Sequence, residues 1–243
     1  CSICESLIGF SNKLMNKDFF SITQQKKQGL PLPGDYYLVS DSEETLKERM
    51  VNDDSFVRAY CKNNPHTGKS ISTKLWVGDY HSEDEFEKLA KNSKGIKRIA
   101  VLRADVDNLG HAFVAGFPDK YMTLSRTATL SRQLSLFFKY HIKSILEKGA
   151  YYIDHEEGHP RHAAIVYSGG DDLFIVGAWN DVIELAVDIK DSLKAYTENT
   201  LTLSGGIGLY TSSYPISVIA DEVAEMEDKS KGHEGKNSIT LFE

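Results

Sequence analysis

The sequence has no apolar run near the roughly 18 residues that a membrane-spanning helix needs. It also lacks the charged segment and short apolar stretch that head a secreted chain. These absences predict a soluble cytoplasmic protein with no membrane partner. Cysteine is scarce: Cys1, Cys4 and Cys61 cannot build a disulfide framework. Cys1 and Cys4 have the spacing of half a zinc knuckle, and a tetrahedral site wants four ligands, so the structural Zn²⁺ they suggest belongs to a longer protein. The opening on Cys1 without a Met points the same way. Basic excess is missing as well. A formal net charge of −7 argues against gripping duplex nucleic acid on a basic face and leaves any nucleic acid to be held mainly by partners. No internal repeat or low-complexity tract interrupts the chain.

What is there is enough for one good core and a smaller second unit: 243 residues, 41% of them hydrophobic and 10% aromatic. Residues 1 to about 90 carry short strand-like pieces, at 35–40 and 74–78, between glycine and proline turns, and predict a small mixed linker or accessory domain. From Lys97 onward strong strands alternate with long amphipathic helices. A strand over 99–105 stops at Asp105, Asp107, Asn108 and Gly110. A long helical stretch follows, with Leu124, Ala128, Leu134, Phe138 and Ile142 at helical spacing and Gly149 as its stop. Strands at 163–168 and 173–177 flank Gly169, Gly170, Asp171 and Asp172, which reads as a hairpin with acids at its tip. Asn180 is the expected N-cap of the next helix, a strand runs over 201–209, a helix from about Ile216 ends near Gly232, and a short strand covers 238–242. The order predicts an α+β, ferredoxin-like fold for residues 91–243.

In that plan the first strand and the strand before the hairpin run parallel, so Asp105 stands beside the Gly169 to Asp172 turn. Carboxylates held so close repel unless cations neutralise them, which points to Mg²⁺ or Mn²⁺ carried with a nucleotide. Asp105, Asp171 and Asp172 are the expected metal and catalytic residues. Two glycines let backbone approach phosphate closely. Asp107 reads either as a helix cap or as a further ligand, and Arg103 as a structural ion pair rather than a phosphate contact.

The run Leu102 to Gly110 (Leu-Arg-Ala-Asp-Val-Asp-Asn-Leu-Gly) followed by Tyr167 to Leu173 (Tyr-Ser-Gly-Gly-Asp-Asp-Leu) resembles the large subunit of type III CRISPR effector complexes. From about residue 97 the chain is similar to that subunit's second palm domain, of the polymerase and cyclase type, and the earlier part to its cysteine-containing linker. The resemblance implies cyclic oligoadenylate synthesis from ATP, activated by target RNA, within a crRNA-containing ribonucleoprotein of several subunits. It also implies that Ser168, Gly169 and Gly170 line the nucleotide, with Asn108 and a phosphate-binding lysine, assigned to Lys231, as further contacts. The family's nuclease domain is marked by a His-Asp pair, which occurs nowhere in these residues, so cleavage of single-stranded DNA is not expected of them. The partner palm that completes the second ATP site is missing too, so this chain alone is expected to bind ATP and to polymerise it poorly.

Two other functions fit the same pattern. A diguanylate cyclase shares the fold and metal chemistry but carries Glu and Phe where Asp172 and Leu173 stand. A scaffold with vestigial acids is the non-enzymatic alternative, and it would bind neither Mg²⁺ nor nucleotide. Apart from the hairpin, His155, Glu156, Glu157, His159 and His162 cluster before the second strand. Gly158 and Pro160 oppose a helix there, so a polar surface loop is expected in preference to a metal site.

Overall fold

The protein is described by a computed structural model over residues 2–24, 29–63, 72–153 and 158–242. It divides into two compact units, Cys1–Val77 and Gly78–Glu243. Residues 78–90 thus go with the second unit, not with the first as the expected boundary near 90 had them. Physically, His81 bridges to Ala164, and Leu89 and Ala90 pack into a core cluster of that unit.

In the first unit α1 (Ser2–Asn16) precedes β1 (Phe19–Thr23), β2 (Leu30–Leu32), β3 (Tyr36–Asp41), α2 (Glu43–Asn52), β4 (Phe56–Lys62) and β5 (Ser72–Leu75). The sheet order is β2-β3-β1-β4-β5. Helix α1 had no counterpart in the sequence pattern: Ile3, Leu7 and Ile8 are exposed, and Phe10 is its buried residue, against Phe20 at 6.2 Å between ring centroids. Its last turn is closed by Lys62, whose ammonium donates to the Leu14 and Met15 carbonyls at 3.1 and 2.9 Å. Ser42 caps α2 by accepting from the Thr45 N–H. Cys4 is exposed on α1, Cys61 is buried in β4, and Cys1 lies outside the described residues, so the proposed half-knuckle does too.

The second unit begins with α3 (Phe86–Lys91) and β6 (Ile99–Val106), followed by α4 (Leu109–Ala115) and a short 3₁₀ turn (Asp119–Tyr121). Next come α5 (Leu124–Leu136), a π-helical turn (Phe137–His141) and α6 (Ile142–Lys148). Then follow β7 (Ala163–Gly169), β8 (Asp172–Ala178), α7 (Trp179–Tyr196), β9 (Leu203–Tyr210), α8 (Ile216–Gly232) and β10 (Ile239–Leu241). The sheet order β10-β9-β6-β8-β7 is the ferredoxin-like arrangement with β10 added parallel to β9 at one edge. Strand β6 pairs antiparallel with both β8 and β9, and β7 antiparallel with β8, so β6 and β7 run parallel as expected.

The period of two along β6 sorts its side chains between two cores. Ala100, Leu102 and Ala104 join Leu134, Phe138, Ile142, Val182 and Leu185 under the helices of one face. Ile99 and Val101 join Ile219, Val223 and Met226 under α8 on the other. Arg103 and Asp105 continue this second row beyond its apolar part. Two local expectations are corrected. The long helical stretch carries one wide turn at 137–141, and Asn180 is not the cap of α7. The helix starts two residues earlier, at Trp179 with Ala178 in the cap position, and the Asn180 amide is used by the Lys94 N–H and the Asp181 carboxylate. Gly149 ends α6 and leaves room for Arg161, since a Cβ there would stand 2.5 Å from the guanidinium Nε.

Candidate active site

Strands β7 and β8 close on a two-residue turn of Gly170 and Asp171, with Gly169 paired to Asp172. Gly170 takes φ 70° and Asp171 stays out of the left-handed region, the pattern of a type II′ hairpin turn that suits glycine at its first central position. Register then sets Asp105 of β6 directly opposite Asp172 of β8. The Val106 N–H donates to the Asp171 carbonyl at 3.1 Å, tying the turn to the strand end. Asp172 borders a hollow of about 370 Å³ with Arg103, Tyr167, Phe174 and Ile216. Asp171 borders another of about 370 Å³ with Leu109, Gly110, Phe113 and Ser131. The tip of the hairpin therefore offers one acid to each side.

Burial, then the neighbouring charges of Asp171 and Asp105, push the Asp172 carboxyl above its usual range. Lys231 on α8 partly offsets this crowding: its ammonium lies 2.5 Å from Asp105 Oδ2 and 2.5 Å from Glu227 Oε1, one helical turn away. Burial works to lower the pKa of Lys231, yet its hydrogen bonds to Asp105 and Glu227 hold it above the ordinary lysine value. Arg103 pairs with the same Glu227 at 2.8 Å, the structural ion pair expected for it.

The remaining expected residues divide. Asn108 is in the left-handed conformation before α4, and its side-chain oxygen accepts from Lys236 Nζ at 2.8 Å. Asp107 does not cap α4. Its buried Oδ2 accepts from the Thr202 hydroxyl at 2.7 Å and the Asn237 N–H at 3.0 Å, joining the entrance of β9 to the segment before β10. Ser168 gives its hydroxyl to the Phe138 carbonyl, locking the hairpin to the π-helical turn. That turn brings Lys139 over Gly169, where a Cβ would stand 3.3 Å from Lys139 Cε. Glu227, Lys139 and Lys236 were not assigned to the site from the sequence, although Glu227 stands four residues before Lys231 and Lys236 five residues after it.

The donor set consists of hard carboxylate oxygens and suits Mg²⁺ or Mn²⁺. Burial first, and then the charges of Asp171 and Asp105, raise the Asp172 pKa, and a bound cation would neutralise the second contribution. With Asp105 drawn to Lys231, the acids are spread wider than the one trio of metal-ligating side chains among the described residues whose donor atoms all lie within 4.8 Å: His159, His162 and Asp181.

The family model described as Cas10/Cmr2, second palm domain, matches residues 98–240. This chain belongs to the Cas10/Cmr2 family. Over its whole length it is 41% identical to the CRISPR system single-strand-specific deoxyribonuclease Cas10/Csm1 (subtype III-A) of Mycobacterium tuberculosis, and it covers 31% of that protein. The chain thus spans about a third of the length of the curated relatives it matches. Among solved structures it is similar to the Csm1-Csm4 cassette in complex with one ATP, with TM-score 0.79 and 29% identity over 97% of this chain and 34% of that one. The cassette in complex with cA4 gives TM-score 0.78 and 29% identity over 96% of this chain and 34% of that one. The Cas10/Cmr2 palm fold accounts for the sheet order and for the strand ends that bring the acids together.

Proposed function

We propose that this chain is the palm that joins ATP molecules through 3′–5′ linkages into cyclic oligoadenylate, releasing pyrophosphate. The observation that carries this reading is Asp105 opposite Asp172 at a glycine hairpin, with Lys231 against Asp105. It is supported by relatives of the same palm whose solved complexes hold ATP and cA4. In the reaction the 3′-hydroxyl oxygen of one nucleotide bonds to the α-phosphorus of another. The bond from that phosphorus to pyrophosphate breaks, and the hydroxyl proton passes to solvent. Repetition and a final intramolecular step close the ring.

Asp105, Asp171 and Asp172 are the residues that would hold Mg²⁺ or Mn²⁺. When bound, these ions supply charge neutralisation at the phosphate and a more acidic attacking hydroxyl. Lys231, kept protonated by its two carboxylates, brings a fixed positive charge to the rim where a triphosphate would lie. Gly170 adds no side chain between that triphosphate and the turn, with open space where its Cβ would be. Asn108 and Gly169 stand on the two backbone segments that border the same edge.

In this reading the chain works inside the rest of its subunit, beside a Csm4-like partner, a crRNA and an activating target RNA in the cytoplasm. One palm presents one nucleotide. Alignment of a second ribose hydroxyl can be worth roughly 7–11 kcal/mol of the barrier, and the partner palm would provide it. Calorimetry with ATP and Mg²⁺ tests the reading: the chain binds ATP, and Asp105→Asn weakens binding at least tenfold, nearly as much as the double replacement Asp171→Ala, Asp172→Ala. Preference for GTP would transfer the chain to the diguanylate-cyclase chemistry, and absence of nucleotide binding would leave a scaffold.

A further inference from the structure

At the end of β7 away from the hairpin, His159, His162 and Asp181 form a separate cluster whose ligand atoms lie within 4.8 Å of one another. Asp181 is fully buried in the first turn of α7. A buried carboxylate is costly without a counter-charge. The nearby buried cation, Arg161, is already committed to Glu184 and, at 2.7 Å, to Asp188. Asp181 instead accepts from neutral donors, the His162 backbone N–H at 2.7 Å and the Asn180 amide at 2.9 Å, and faces His162 Nδ1 at 3.0 Å.

The imidazoles are set for ligation. His159 Nδ1 lies 2.9 Å from the Pro160 carbonyl; a carbonyl only accepts, so Nδ1 carries the proton and Nε2 presents its lone pair. Tyr152 fixes the backbone beneath it, its hydroxyl donating to the His159 carbonyl at 2.8 Å and accepting from the His159 N–H at 2.9 Å. The His162 side chain is 39% exposed, which leaves a path from solvent to the buried carboxylate. The 3.0 Å between His162 Nδ1 and Asp181 Oδ2 is close to the edge of a tetrahedral zinc shell, where ligands about 2 Å from the ion stand about 3.3 Å apart.

We propose that His159 Nε2, His162 Nδ1 and Asp181 Oδ2 bind one Zn²⁺ ion, with water completing the tetrahedron, at a site distinct from the hairpin acids. The ion takes the place of the proton between His162 and Asp181, and small rotations of the two imidazoles complete the shell. Two imidazoles and one carboxylate favour Zn²⁺ over Mg²⁺, which prefers an all-oxygen shell. The gain is a staple from the segment entering β7 to the first turn of α7, over the buried Arg161.

The test is a titration of the metal-free complete chain with Zn²⁺, followed by calorimetry and metal analysis, and with Co²⁺ followed by its visible spectrum. Expected are one equivalent bound, a tetrahedral Co²⁺ spectrum without thiolate bands, and a rise in melting temperature on adding Zn²⁺. His159→Ala, on a half-exposed loop, and His162→Ala should each weaken Zn²⁺ at least tenfold and remove that rise, while ATP binding with Mg²⁺ is unchanged. No uptake by the chain would mean that the His162 Nδ1 contact alone serves Asp181, and would overturn the proposal. So would undiminished uptake when His159→Ala and His162→Ala are combined, or thiolate bands that assign the ion to cysteine.

Discussion

At the hairpin end of β7, Asp105, Asp171 and Asp172 are partly exposed, crowded, and matched by one ammonium shared with Glu227. Roughly 20 Å away along the strand, Glu184 and Asp188 are buried and their oxygens are occupied. Glu184 accepts from Arg161 and the Ile153 N–H; Asp188 accepts from Arg161 and from the Ala150 and Tyr151 N–H groups. The first set has oxygens to offer and electrostatic reason to take a cation, whereas Glu184 and Asp188 hold a loop and a helix together. Identical side chains thus serve chemistry or architecture according to what reaches them.

Mutations at the two ends should separate accordingly. The largest effect is expected from Asp171→Ala with Asp172→Ala in the complete complex: oligoadenylate synthesis falls below detection while the melting temperature hardly moves, because the positions are at a turn tip. Chromatography of labelled ATP products checks it, and retained synthesis would remove the hairpin from the active site. Next, Arg161→Met should cost about 3–5 kcal/mol of stability in urea unfolding, since two buried carboxylates lose their cation. A loss under about 1 kcal/mol, the scale of an exposed pair, would erase the contrast between the ends.

The smallest effect is expected from Asp172→Asn. The folded-state pKa of Asp172 is raised, so the folded protein binds its proton more tightly than the unfolded chain does. Stability from this group is therefore greatest below the unfolded carboxyl pKa and falls as pH rises through the folded one. At neutral pH the neutral amide should raise the melting temperature by about 1 °C, as a few tenths of a kcal/mol would after allowance for solvent screening. Scanning calorimetry at acid and neutral pH measures it: the gain should vanish at acid pH, where Asp172 is itself protonated.

Much of the second unit was legible because its strands are apolar runs bounded by glycine and acid, and because one chiral crossover makes β6 and β7 parallel. Asp105 could be assigned beside the hairpin on that ground alone. Helix α1 escaped because most of its apolar residues face solvent, and the π-helical turn because one wide turn leaves the apolar pattern intact. Asn180 misled because a good capping residue was engaged by Lys94 and Asp181. Asp181, Glu184 and Asp188, at i, i+3 and i+7 on α7, carry nothing in their spacing that separates them from a solvated stripe.

In the second unit the sequence by itself determined the order of the main strands and helices, the glycine turn, and the strand ends at which the acids fall, since period and turn chemistry are local properties of the chain. Tertiary structure alone decided which acids remain accessible and which become part of the core. That choice depends on partners from distant segments: Lys231 reaches Asp105 across 126 residues of chain, and Arg161 reaches back under α7 to neutralise carboxylates that no local pattern connects to it. Burying a charge is unfavourable until such a partner arrives, so its outcome is written in the packing and not in the neighbouring residues.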